Sequence, residues 1–297
     1  MMAKKIEEYL EQLRKELGGR DPAIIQDALS DAEEHLRTGL EDTLKDSPGL
    51  SEADALESLI EKYGTPAEVA SAYKEIEFRM LPTLAIEKTR MPRSFWARFF
   101  GVVVDARAWG ALLYILVSGL TAAVFGMWTL LGGAFSLFSL ILIIGIPVTG
   151  LFLLSIRGIA LIEGRIIEAL LGIRMPRKPI FLRQGLNWRE KYKALTTEAY
   201  TWKVFSYLIL HFPLGIFYFF IIPTLFAFSI KCALYPIWFW GLGRPLITLS
   251  EPFYPPALSY PLVVAAGVLM LFSTFHLARF IGKIQGRLAK FMLVRKQ

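Results

Sequence analysis

Three histidines, one cysteine and a few paired carboxylates are the residues of this chain whose chemistry could carry a reaction or hold a ligand. His35 follows Glu33-Glu34, a grouping that invites a metal ion, but a lone histidine on a charged helix face serves better as a solvated or capping residue. Cys232 has no second cysteine, which excludes a disulfide framework and any CxxC metal site. Glu163 and Glu168 could form the acid and base of a hydrolysis, yet no nucleophile, metal cluster or further general acid accompanies them. With Arg157 and Arg165 they form i,i+3 and i,i+5 pairs at best, and they read as the solvated or interfacial face of an amphipathic helix. His211 and His276 differ, because they interrupt apolar runs, and an ionisable group within a membrane is a functional candidate by default. Both fall on the same side of that membrane, so a proton or ligand site between them is geometrically open. The plainer alternative has each one snorkelling or bonding a neighbouring helix. No catalytic, metal-binding or cofactor-binding residue is assigned.

The elements that position these residues follow from composition. The chain has 297 residues, of which 54% are hydrophobic, and no Asp, Glu, Lys or Arg occurs from 108 to 156. That excludes a soluble globular enzyme, a disordered chain and a DNA-binding domain as the main reading. Charge is split: residues 1–80 carry a net of −9, and residues 81–297 a net of +16. We expect an all-α integral membrane protein, with four transmembrane helices in two repeated hairpins behind an N-terminal cytosolic helical bundle.

The head, residues 1–80, begins with Ile6, Tyr9, Leu10, Leu13 and Leu17 at helical spacing. This is an amphipathic helix rather than a secretory signal, which needs a continuous apolar core. Gly18-Gly19 ends it. Asp21-Pro22 starts a second helix with Asp21 as N-cap, and Ile25, Ala28, Leu29, Ala32, Leu36, Leu40 and Leu44 line its inner face. Ser51 with Asp54 opens a third helix that closes at Gly64, and Thr65-Pro66-Ala67-Glu68 repeats the device for a fourth. The last two helices could form a helix-turn-helix, but the net −9 opposes phosphate binding, so direct nucleic-acid contact is not expected.

The segments EEYLEQLRKEL, DALSDAEEHLRTGL and LSEADALESLIEKYGTPAEVASAY resemble the HAAS helical signalling domain of bacteria and archaea over residues 4–77. The Glu34-His35 pair and the turn at 63–68 carry most of the likeness. The resemblance implies a non-catalytic protein-interaction module, often encoded beside PadR-like transcription regulators, which makes such a regulator one candidate for its cytosolic partner.

Crossing a hydrocarbon core of about 30 Å takes about 20 helical residues. The uncharged run 108–156 is long enough for two helices, 108–131 and 134–156, with the turn at Gly132-Gly133. A third covers 203–230, with Pro213 and Pro223 as kinks, and a fourth 258–281. Residues 81–107 form a basic juxtamembrane linker and 282–297 a basic tail. Lys and Arg crowd the segments before the first crossing, between the second and third, and after the fourth, and they are sparse in the two opposite turns. The positive-inside rule then makes this a multi-pass plasma-membrane protein with both termini cytoplasmic. The basic inner segments are expected to hold anionic lipid, at about 1 kcal/mol per Lys or Arg near the surface. They are also expected to attract the acidic head into a closed state.

A shift of 93 residues aligns Asp105, Trp109 and Tyr114 with Glu198, Trp202 and Tyr207. A shift of 122 aligns Arg157, Ile162 and Gly164-Arg165 with Arg279, Ile284 and Gly286-Arg287. The difference of 29 residues falls in the outer loop at about 231–260, so the two hairpins form a parallel repeat. Trp109, Tyr114, Trp202 and Tyr207 are its interface residues. Ser118, Ala122 and Gly126 form a small-residue stripe that permits close helix packing. The outer loop is rich in aromatic residues and proline. Trp238, Trp240, Arg244, Phe253 and Tyr254 offer a lipid- or amphiphile-contacting surface, or else a belt that anchors the helices.

ARAWGALLYILV, the Gly145-Ile146-Pro147 turn, SIRGIALIEGRIIEALLG and TWKVFSYLILHFPLGIFYFF together resemble the four-helix "putative sensor" membrane domain over residues 98–281. In many relatives a histidine kinase follows. Here about 16 residues follow the last crossing, with no phosphoacceptor helix pair and no ATP-binding glycine motif, which leaves the head as the output module. The expected function is a non-catalytic sensor that relays a membrane or envelope signal through the head to a cytosolic partner. The alternative is a transporter subunit or lipid-handling protein whose head recruits that partner. Self-association remains open. Reporters fused at Met1 and Gln297 should both be active only on the cytoplasmic side, and activity outside the cell at either end would overturn the orientation.

Overall fold

Side-chain caps start the head helices where the sequence supplies them. A computed structural model of the chain describes residues 2–47, 49–79, 94–141, 145–177, 188–248 and 252–295. Helix α1 spans Met2–Glu16, and α2, Pro22–Asp46, is capped by Asp21, which accepts from Ala23 N at 3.0 Å. Helix α3, Glu52–Tyr63, is capped by Ser51, and its end at Gly64 needs a φ of 103° that glycine adopts without strain. Before α4, Pro66–Arg79, Thr65 and Glu68 form a reciprocal box: Thr65 N donates to Glu68 Oε2 at 2.8 Å, and Glu68 N to Thr65 Oγ1 at 3.3 Å. The Thr65 N–H and the Thr65 hydroxyl, both donating to its carboxylate, hold the exposed Glu68 carboxyl below its ordinary range. The apolar stripes meet in one core around Leu13, Leu17, Leu36 and Leu56. Tyr9 donates from that core to Gly64 O at 2.7 Å, and burial, with Tyr63 and Glu68 beside it, pushes its phenol up to about 12.

Residues 81–93 of the expected linker, with Lys88, Arg90 and Arg93, lie outside the described residues. A short helix α5, Phe95–Phe100, and one 3₁₀ turn lead into α6, Ala106–Ser139. Then come α7, Gly145–Leu171; α8, Trp188–Thr197; α9, Ala199–Ala233; α10, Tyr235–Leu242; and α11, Tyr260–Leu293. Helices α6, α7, α9 and α11 are long and apolar enough to cross a membrane. A two-residue antiparallel pair, β1 (Ile247–Thr248) with β2 (Pro252–Phe253), is the only strand pairing among the described residues.

Helix limits differ from the expected ones in an instructive way. The chain does not turn at Gly132-Gly133. Helix α6 continues through both, because a bare Gly132 lets Phe152 of α7 lie against the backbone, where a Cβ would be 2.7 Å from its ring. The turn comes after Ser139, and Gly145, Ile146 and Pro147 form the first turn of α7 rather than the bend. The second crossing is therefore shifted from 134–156, and the fourth runs well beyond 281. Within these ends, Arg157 of α7 and Arg279 of α11 find acidic partners outside their own helices, in Glu198 and Asp105. Helix α9 passes through Pro213 and Pro223 without interruption.

Helices α6 and α9 form the central pair, with α7 packed on α6 and α11 on α9. The pair is two-fold in character at the 93-residue shift. A Cβ at Gly119 would meet Phe219 at 2.4 Å, and one at Gly126 would meet Phe212 at 2.3 Å. Phe212 and Phe219 are the repeat counterparts of Gly119 and Gly126, so each hole in α6 receives a ring from α9 at the exchanged position. Ala122 touches its own counterpart Gly215, where the pseudo-axis passes. Gly126→Ala should lower detergent-solubilised thermal stability by about 1–3 kcal/mol, the usual cost of overpacking. Gly158→Ala, with open space at its Cβ, should be neutral or stabilising. Melting curves of the two variants check the contrast.

Candidate functional site

Of the α7 residues that sequence spacing assigns to a solvated face, Arg165 is exposed, but Arg157, Glu163 and Glu168 are buried. Ile156, Ala160 and Ile167 mark a helical stripe, and Glu163 occupies the same stripe at 0% exposure. Tyr114 Oη donates to Glu163 Oε1 at 3.3 Å and Tyr207 Oη at 3.4 Å, while Thr121 Oγ1 donates to Oε2 at 3.4 Å. His211 Nε2 lies 3.5 Å from Oε1, and its ring stacks on Tyr207. Gln285 Nε2 and His211 Nδ1 are hydrogen-bonded at 2.8 Å. Each of the four long helices thus contributes to one buried polar centre. It is built on the repeat, since Tyr114 and Tyr207 are counterparts at the 93-residue shift, and Glu163 and Gln285 at the 122-residue shift.

A second layer lies nearer the head. Arg157, 3% exposed, donates from Nη2 to Glu198 Oε2 at 2.6 Å and to Thr201 Oγ1 at 2.5 Å. Arg279 Nη1 pairs with Asp105 Oδ2 at 2.7 Å. These two bridges are repeat counterparts, each joining the exit of one hairpin to the entry of the other. Trp109 and Trp202 likewise each donate to a carbonyl six residues back, Val103 O at 2.7 Å and Thr196 O at 2.8 Å.

Beyond these bridges the head docks. Asp27 of α2, 6% exposed, accepts from Arg174 Nη2 at 3.0 Å and from Arg177 N at 2.6 Å. Arg174 Nη1 also donates to Glu168 Oε1 at 2.8 Å, as does Arg177 Nη2 at 3.2 Å. Lys290 Nζ reaches Asp21 Oδ2 at 2.5 Å, and Arg295 N donates to Gln26 Oε1 at 3.0 Å. The N-terminal turns of α2 therefore sit on the segment after α7 and on the end of α11.

Of the residues singled out by sequence, Tyr114, Tyr207 and His211 meet at Glu163, and Trp109 and Trp202 flank the entries. His276 is not with His211: its Nε2 lies 3.1 Å from Phe99 O and its ring stacks on Phe99. His35 is exposed and stacks on Tyr63. Trp238, Trp240, Arg244, Phe253 and Tyr254 lie at the far end, around α10 and the strand pair, with Trp240 78% exposed. Tyr235 and Leu246 are buried beneath them. The sequence reading weighed Glu163 but placed it on a solvated face, and Thr121, Gln285, Asp27 and Arg174 were missed. The helical phase of Glu163 with Ile156, Ala160 and Ile167 would have flagged it.

Four long apolar helices, a buried polar centre and a docked acidic head define a multi-pass membrane protein with an attached helical module. Residues 114–293 match the "Putative sensor" family, and the chain belongs to it; residues 8–72 match HAAS. Both are non-catalytic signalling families, and HAAS domains mediate protein–protein interaction. No curated protein and no solved structure matches the chain. Removing Arg157 takes its bonds from Glu198 and Thr201, but Glu198 is 29% exposed and keeps Arg295 at 3.9 Å, so Arg157→Ala should cost about 1–3 kcal/mol. Removing exposed Lys45, 3.7 Å from Asp42, should cost under about 1 kcal/mol; chemical unfolding in detergent compares the two.

Proposed function

We propose that this chain is a non-catalytic sensor of the plasma membrane, with both termini cytoplasmic, whose four-helix part perceives a membrane or envelope signal and relays it through the head to a cytosolic partner. The observation that carries this reading is Asp27, held by Arg174 and Arg177, which are themselves gripped by Glu168 of α7. A rearrangement of α7 against α6 acts directly on this contact and changes how the head presents itself. This direct contact is the proposed line of relay from α7 to the head. A signal shifts the balance only by favouring one packing over another. The head's family points to a transcription regulator of the PadR kind as partner. The basic head-proximal residues suit anionic lipid at the inner face. Trp238, Trp240, Arg244, Phe253 and Tyr254 are the proposed lipid- or amphiphile-contacting surface at the outer end.

The buried Glu163–His211 pair is the one observation that favours the transporter reading instead. Proteoliposome flux that vanishes with His211→Ala would select it. For the relay, Asp27→Arg in the full chain in lipid nanodiscs should speed proteolytic release of the head by at least about tenfold, the equivalent of about 1.4 kcal/mol, and change partner capture in step. Release at the wild-type rate would overturn it.

A further inference from the structure

Glu163 is enclosed on every side. Tyr114 and Thr121 face it from α6, Tyr207 and His211 from α9, and Gln285 closes the far side of His211 from α11. On its own helix, Arg157 and Glu168 are paired elsewhere, with Glu198 and with Arg165, Arg174 and Arg177. With the Gln285 amide nitrogen donating to Nδ1, neutral His211 carries its proton on Nε2, the nitrogen turned toward Glu163. That Nε2 has no hydrogen-bond partner among the described residues. In the ionised state the centre therefore holds one net negative charge, removed from water and, among the described residues, bonded by three hydroxyls with the His211 Nε2 lying 3.5 Å away. Burial of such an unpaired charge is costly, and one proton cancels it.

The geometry provides a place for that proton. Thr121 Oγ1 lies 3.4 Å from Glu163 Oε2 and 3.3 Å from Ser118 O. Its hydroxyl can turn to the carboxylate when Glu163 is ionised. When a proton sits on Oε2, the same hydroxyl turns to Ser118 O and its oxygen accepts from the carboxyl. Ser118 O also lies at the α6–α9 crossing, where a Cβ on Gly215 would be 3.0 Å away. Exchange of the proton thus changes the bonding at a close contact between α6 and α9.

We propose that Glu163, with Thr121 and His211, forms a proton-binding site at the centre of the four-helix bundle, and that its occupancy governs how firmly the head is held on Arg174. This deepens the relay reading and rests on it, since α7 carries both Glu163 and Glu168. The site takes a proton from the aqueous phase and releases it there, with no other bond made or broken.

The test uses the full chain in lipid nanodiscs, followed by infrared difference spectroscopy and limited proteolysis across a pH titration. The wild-type chain should show a protonated-carboxyl carbonyl band that grows on acidification. The band should vanish in Glu163→Gln and change frequency in Thr121→Val, which loses the bonding partner but keeps the shape. Head release should follow the same titration in wild type and lose that component in Glu163→Gln. A spectrum unaltered by Glu163→Gln overturns the proposal, as does head release with the same pH curve in both chains. The wild-type titration does not depend on either variant folding. Asp27→Arg separates the two readings: if it frees the head while Glu163→Gln changes nothing, the relay stands and the proton site falls.

Discussion

Two crossed ion pairs organise this molecule. Arg157 leaves the first hairpin and is neutralised by Glu198 at the entry of the second, while Arg279 leaves the second and is neutralised by Asp105 at the entry of the first. Each hairpin thus supplies an acidic partner for the other's arginine. In an apolar surrounding, a guanidinium without a partner is expensive, which makes this exchange a strong condition on assembly. The Gly119–Phe219 and Gly126–Phe212 contacts obey the same exchange, with shape in place of charge. Together they fix both the distance and the rotation of α6 against α9.

That arrangement creates the polar centre. Residues related by the repeat converge on the pseudo-axis, where the two tyrosines meet a single carboxylate oxygen. The halves differ where it matters chemically: Glu163 is opposed by Gln285, and Ser118 by His211. Divergence of the two copies at the axis turned a symmetric packing surface into one that holds an ionisable pair. A buried network of this kind has high stakes, because any unmatched member costs far more in a dry bundle than in water.

The head is attached to the ends of α7 and α11 by charge and by backbone bonds. Asp27 accepts both a guanidinium and a peptide N–H, and Gln26 accepts the N–H of Arg295. Bonds from backbone N–H donors of this sort read the path of the chain as well as its charge. The contact is therefore sensitive to the conformation of the segment after α7 in a way that a loose electrostatic attraction is not.

The sequence by itself determined the helices of the head, their caps, the number of apolar crossings and the repeat. Each rests on local chemistry: an Asp or Ser beside the first free N–H groups, a glycine at positive φ, an uncharged run of sufficient length. Local rules also set the head's core, since Leu13, Leu36 and Leu56 lie on stripes legible at helical spacing. They failed at Gly132-Gly133, where two glycines serve helix contact instead of a turn. They failed too at Glu163 and Glu168, whose charge suggests solvent. Whether a glutamate faces water or the axis depends on which residues of two other helices meet it, and those lie 42 to 49 residues away from Glu163 in one direction or the other. The separation of His276 from His211, and the seating of Asp27 on Arg174 147 residues away, are likewise decided by tertiary structure alone. Charge pattern gives the tendency of these groups to pair, and only the assembled bundle fixes which pairs form.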